Sequence, residues 1–159
     1  MGAIIVEPIS SIQNQFATPR YFKLLRKVAQ HHDIPFIVDE TKTGMGASGK
    51  NWAHEHWYLN SDLTPDFVTF GGKSGLAGFF STVNYRLIDS EAASFHQQVD
   101  MVKLLHYGQI WNIIAKQNLL HLQSDTSSFL KIELERVGRE TGLVRDVRGY
   151  GTHLAFDCP

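Results

Sequence analysis

The stretch FIVDETKTGMGASGKNWAHEHW, residues 36–57, decides the fold. Three apolar residues, Phe36, Ile37 and Val38, run into two carboxylates, Asp39 and Glu40. Thr43-Gly44 and a glycine-rich segment follow at once. A short continuous apolar run that stops at turn residues is the pattern of a strand buried on both faces. Strands of that kind form parallel sheets, and ligands of open parallel sheets bind beyond the carboxyl ends of the strands. The run therefore delivers the Asp39 carboxylate to a ligand-facing rim. The glycines after it predict a flexible loop.

The chain on either side alternates in the same way. Residues 3–9 read as a strand. Thr18-Pro19 is a helix start, an N-cap followed by proline at the first helical position. Tyr21, Leu24, Leu25 and Val28 repeat at helical spacing from there to about residue 32. Residues 66–70 read as a third strand and 79–84 as a fourth. Apolar strands interleaved with amphipathic helices predict a mostly parallel sheet covered by helices, an α/β fold. After Asp89 the pattern turns helical. Met101, Leu104, Tyr107, Trp111 and Ile114 share one face, and Phe129, Leu130, Leu134 and Val137 another. Short strands close the chain near 143–147 and 153–156.

Composition excludes several classes of function. The 159 residues are 43% hydrophobic and 19% charged, as expected for a globular chain. A net charge of -1 supplies no basic field for nucleic acid or an anionic membrane. No apolar run is long enough to span a bilayer. Cys158 is the only cysteine, so one chain holds no disulfide and no cysteine-based metal site.

The alternation places three chemistry-bearing positions on one rim: Glu7 after the first strand, Asp39 after the second, and the loop GGKSGLAGFF, residues 71–80, after the third. Lys73 stands in that loop between Gly72 and Gly75, where little side-chain bulk hinders a ligand. A lysine and a carboxylate are the pair that pyridoxal phosphate chemistry needs, one to hold the cofactor and one to keep its ring nitrogen protonated. Taken singly, Lys73 reads first as a solvated loop lysine, and Asp39 reads also as a helix N-cap or turn residue. Glycine-rich loops are not diagnostic.

The strings IIVEPI, VDETKTGMGASGKNWAHEHW, PDFVTFGGKSGLAGFF and VRGYGTHLAFDCP, in that order, resemble consecutive blocks of the class III pyridoxal-phosphate-dependent aminotransferases. The resemblance runs through nearly the whole chain and is weakest over residues 90–107. It implies the central part of the large domain of a fold type I transferase, residues 1–118, with the start of a small C-terminal domain, residues 119–159. It implies pyridoxal 5'-phosphate as cofactor and a small-molecule amino donor and 2-oxo acid as substrates. Asp39 would bind the cofactor's pyridine nitrogen. Lys73 would be both the cofactor-binding and the catalytic residue, and Glu7 would face the substrate. The WAHEHW block points to amino transfer from 4-aminobutyrate to 2-oxoglutarate. Relatives that act on ornithine, acetylornithine or a β-amino acid read differently there, and a non-catalytic remnant is the other alternative. The resemblance further implies a homodimer and a mitochondrial location.

The departures carry information too. Lys42 stands where the family usually has glutamine. The family's paired lysines are reduced to Lys73 after a glycine. The segment that sends a threonine to a partner's phosphate has no counterpart at Phe95-His96-Gln97-Gln98. The length is about a third of what a whole enzyme of this class needs, so the chain reads as a segment, and taken alone as a poor or inactive enzyme. His54-Glu55-His56 reads as packing or surface rather than a metal site, since its histidines are two apart and no third ligand is evident. Lys103 and Lys131 read as surface lysines. The run KIELERVGRE reads as a solvated helix face with pairs such as Glu135 to Arg139.

Overall fold

The computed structural model describes residues 2–10, 12, 14–72, 75–86 and 100–159. The elements in chain order are β1 (Ile4–Val6), α1 (Pro19–His31), β2 (Phe36–Asp39), β3 (Phe67–Phe70), β4 (Gly78–Ser81), α2 (Met101–Lys116), α3 (Leu119–Thr141), β5 (Arg145–Tyr150) and β6 (His153–Asp157). Single turns of 3-10 helix lie at Ala53–Trp57, Ser61–Leu63 and Val83–Tyr85.

The main sheet has the order β1-β2-β3-β4. Strands β1, β2 and β3 are parallel, with Val6 opposite Val38 and Asp39 opposite Thr69. Strand β4 returns antiparallel to β3. Only residues 71–77 separate the two, too few for the crossover a parallel partner needs. The mostly parallel sheet expected from the sequence is present. Strand β1 is shorter than its apolar run because Pro8, which has no N–H to give a ladder, follows almost directly. Strands β5 and β6 form a separate antiparallel hairpin.

Helix α1 begins where its signals place it. The Thr18 hydroxyl accepts a hydrogen bond from the Tyr21 N–H at 3.3 Å, and Pro19 occupies the first turn. Its inward face presents Phe22, Arg26 and Ala29. Phe22 and Ala29 join Phe36, Val38 and Trp57 in the core, and the Phe22 and Trp57 rings stack at 3.9 Å between centroids.

Arg26 is the unexpected member of that face. Its guanidinium is buried and meets both oxygens of Asp66, at 3.1 and 3.0 Å. Its Nε–H donates to the Thr64 carbonyl, and the Phe36 N–H donates to Asp66 Oδ2 at 2.8 Å. One ion pair therefore joins α1 to the entrances of β2 and β3.

Helices α2 and α3 bury no residue fully. Of the face expected on α2, Tyr107, Trp111 and Ile114 are half-buried, while Met101 and Leu104 are exposed. In the charged run of α3, Arg136 pairs with Glu133 at 2.7 Å and with Glu140 at 2.9 Å, rather than Glu135 with Arg139. Among the described residues no helix is long and apolar enough to cross a membrane.

Removing the Arg26 side chain strands the Asp66 carboxylate in the interior. Arg26→Leu is expected to lower unfolding free energy by about 3–5 kcal/mol, read from urea denaturation.

Candidate active site

Because β1, β2 and β3 are parallel, their carboxyl ends share one edge of the sheet. Glu7 follows β1, Asp39 ends β2, and Gly71-Gly72 follow β3. The rim expected from the sequence is thus assembled for Glu7 and Asp39, and Glu7 is exposed on it. Lys73 lies outside the described residues, as do residues 95–98. The chain just before Lys73 is fixed close to Asp39. Gly72 has φ +72, and a Cβ there would come within 3.2 Å of the Thr41 carbonyl, two residues beyond Asp39.

Asp39 is half-buried, and its Oδ1 accepts from the Thr41 N–H at 3.0 Å and from the Thr69 hydroxyl at 2.9 Å. Partial burial alone pushes its carboxyl up, the largest single influence. Hydrogen bonds from Thr41 and Thr69, with the nearby Lys42 charge, together outweigh that and hold the group below its ordinary 3.8. The register of β2 against β3 supplies one of these donors, since Thr69 is the partner of Asp39 across the ladder. The result is a carboxylate that stays ionised while partly screened from water.

Successive side chains of a strand point to opposite faces, so Asp39 and Glu40 diverge. Glu40 turns inward and is 1% exposed. It accepts hydrogen bonds from the Thr43 hydroxyl, the His54 N–H at 2.8 Å and His54 Nδ1 at 2.9 Å. The signal for this residue was present, a second carboxylate one step along a buried strand, but it was not read as a partner for His54.

The segment after Glu40 departs from expectation. Residues 43–48 are all buried, so the glycine-rich loop is a packed layer rather than a flexible one. The Ala47 carbonyl explains this. It accepts from the Thr152 N–H at 2.9 Å, the Thr152 hydroxyl at 3.0 Å and Gln123 Nε2 at 2.7 Å. The hairpin turn can approach so closely because Gly151, at φ +58, has no Cβ to collide with that carbonyl. A further tie runs from His153 Nε2 to the Lys42 carbonyl at 3.3 Å. Loop, α3 and hairpin are therefore joined directly behind the rim.

The two histidines of residues 54–56 are engaged within this layer. His54 meets Glu40, while His56 Nε2 donates to the Ser48 carbonyl at 3.1 Å and its ring stacks on Tyr150 at 4.2 Å. Burial, partly offset by that hydrogen bond, lowers the His56 pKa below its ordinary 6.5.

Comparison with known proteins gives one consistent result. The family described as Aminotransferase class-III matches residues 1–159. The 4-aminobutyrate aminotransferase of Dictyostelium discoideum is 41% identical over 161 residues, covering 100% of this chain and 32% of its own. The mitochondrial 4-aminobutyrate aminotransferase of Homo sapiens is 36% identical over 162 residues, covering 100% and 32%. Among solved structures, lysine aminotransferase from M. tuberculosis in the internal aldimine form superimposes with TM-score 0.80 at 24% identity, over 98% of this chain and 37% of that one. At that identity the likeness shows the fold alone. The chain spans about a third of the length of the curated relatives it matches.

Three measurements check this geometry. Carbon-detected NMR titration is expected to place the Asp39 midpoint below 3.8. A folded-state pKa lowered in this way stabilises the protein above the unfolded value, and that stabilisation is lost as pH falls through the folded value. Asp39→Asn is therefore expected to flatten the acid limb of the stability profile below about pH 4. Glu40→Gln places an amide group against three donors and is expected to cost about 1–3 kcal/mol in thermal or urea unfolding.

Proposed function

The chain belongs to the class-III aminotransferase family, and from that premise we propose that it carries the pyridoxal-phosphate site of an enzyme moving the amino group of 4-aminobutyrate to 2-oxoglutarate. The observation that carries the reading is the Asp39 carboxylate, ionised and fixed by Thr41 and Thr69 at the carboxyl end of a parallel strand. Support for the substrate comes from the 4-aminobutyrate aminotransferases, which align with 99–100% of the chain at 34–41% identity.

The residues fit the cofactor in chemistry. A carboxylate below its ordinary pKa can hold a proton on a pyridine nitrogen without taking it. When bound, the cofactor supplies an electron sink for a carbanion at the substrate carbon. Asp39 keeps that sink charged. Lys73 would hold the cofactor through its amine and would serve as the group that carries the proton. Glu7 lies on the same rim, exposed, and would contribute its carboxylate to the substrate side. Lys42 adds positive charge beside Asp39, which favours its ionised form.

The proposal extends to assembly and place. Exposed apolar residues on α2 and α3, including Val102, Leu105, Leu122 and Phe129, suit burial against a second subunit or further chain. The relatives of human, pig and mouse are named mitochondrial, and the same location is proposed here. We propose that the large domain takes residues 1–118 and the small domain begins at 119; the left-handed backbone of Asn118, φ 50°, between α2 and α3 supports that division.

The test is cofactor titration of the purified chain, with borohydride trapping and mapping of the modified lysine. Stoichiometric label on Lys73, absent in Lys73→Ala and reduced in Asp39→Asn, is the expected result. Label scattered over surface lysines would overturn the assignment of Lys73 and Asp39.

A further inference from the structure

Glu40 is the acid that the proposed chemistry leaves unused. Its side chain is 0% exposed. Shutting a carboxylate away from water is costly unless its oxygens are satisfied, so its partners show what holds it there. Oε1 takes the His54 N–H at 2.8 Å and His54 Nδ1 at 2.9 Å, and Oε2 takes the Thr43 hydroxyl. A carboxylate that only accepts is matched to three donors.

These bonds close a turn directly after Asp39. The Gly44 N–H donates to the Glu40 carbonyl at 2.9 Å, so the side chain and main chain of Glu40 hold both Thr43 and Gly44. The Trp52 ring packs on the turn, and a Cβ on Gly44 would come within 2.7 Å of it. Inside the turn, and exposed, stands Thr41. It reaches both ligand-facing parts of the rim. Its N–H donates to Asp39 Oδ1 at 3.0 Å. Its carbonyl lies 3.2 Å from where Gly72 would carry a Cβ, and its methyl 3.7 Å from the same position on Gly71, the two residues just before Lys73.

We propose that Glu40 is a positioning residue for Asp39: clamped by Thr43 and His54, it fixes the turn that presents the Thr41 N–H to the Asp39 carboxylate. Glu40 touches no ligand in this role and acts through Thr41. His54 brings a second segment onto the same carboxylate, so its imidazole holds the rim from behind rather than meeting a substrate. The part Glu40 plays in catalysis rests on the reading of Asp39 as the carboxylate that faces the cofactor.

Charge and position predict opposite signs. Two neighbouring acids repel, so removing the Glu40 charge lowers the Asp39 pKa if charge alone links them. Releasing the turn loosens the Thr41 N–H, one of the donors that hold Asp39 below 3.8, and so raises it.

The test is the carbon-detected titration of Asp39 in the whole chain without cofactor, in Glu40→Gln, Thr43→Val and Thr43→Ser. Thr43→Val keeps the shape of threonine and changes no charge, and Lys42, the charged neighbour of Asp39, is intact in all three. The Asp39 midpoint is expected to rise in Glu40→Gln and in Thr43→Val, and to return to the parent value in Thr43→Ser, which restores the hydroxyl. The Thr41 amide proton is expected to follow the Asp39 titration in the parent and to respond less in the first two variants. If Glu40→Gln gives no folded spectrum, the two Thr43 variants decide alone. An unchanged or lowered midpoint in either folded variant, or a rise in Thr43→Ser equal to that in Thr43→Val, overturns the proposal. Scattered label in the lysine-trapping experiment overturns the cofactor reading and does not alter these midpoints, so the two failures are told apart.

Discussion

A guanidinium and a carboxylate shut away from water, Arg26 and Asp66, hold the entrances of the sheet together. Their geometry is demanding because burial removes the hydration both charges had in the unfolded chain. The site meets that demand fully. Two parallel hydrogen bonds join the pair, the Thr64 carbonyl takes the Nε–H, and the Phe36 N–H reaches the carboxylate. The residues involved come from α1, from the first position of β2 and from the position just before β3. Fixing the amino ends of two parallel strands also fixes their register, and register decides which residues emerge at the far end. Asp39 meets Thr69 there because Phe36 and Asp66 are tied thirty residues apart at the near end.

What the sequence made legible follows the range of the signals. The start of α1 rests on Thr18 and Pro19, neighbours in sequence, and it was readable from them. The strand ending at Asp39 is an uninterrupted apolar run, also local. The packed state of residues 43–48 was not readable. Its anchors, Gln123 and Thr152, lie 76 and 105 residues from Ala47. Closely spaced glycines indicate freedom of the backbone, but only tertiary partners decide whether that freedom is used for motion or for close packing. The reversal of β4 could have been read from the shortness of its connection, and the truncated β1 from Pro8.

The rim and the layer behind it divide two neighbouring acids between two tasks. Asp39 faces outward, is stabilised in its charged form by hydroxyl and backbone donors, and offers its charge to a ligand. Glu40 faces inward and uses its oxygens to hold Thr43 and His54. The alternation of a strand is enough to achieve this separation, with no special backbone geometry at either residue. It also explains why the acids occur as a pair. The second carboxylate fixes the loop that leaves the strand, and the hydrogen bond from Thr41 to Asp39 depends on where that loop begins.

The Ala47 carbonyl has two lone pairs and receives three donors. The three donors therefore share two lone pairs. Loss of the Gln123 amide or of the Thr152 hydroxyl leaves a carbonyl still doubly occupied, and the remaining bonds improve in its absence. The junction of loop, helix and hairpin is in this sense redundant. Sequence can drift at either anchor while the main-chain donor of Thr152, which no substitution short of proline removes, preserves the connection.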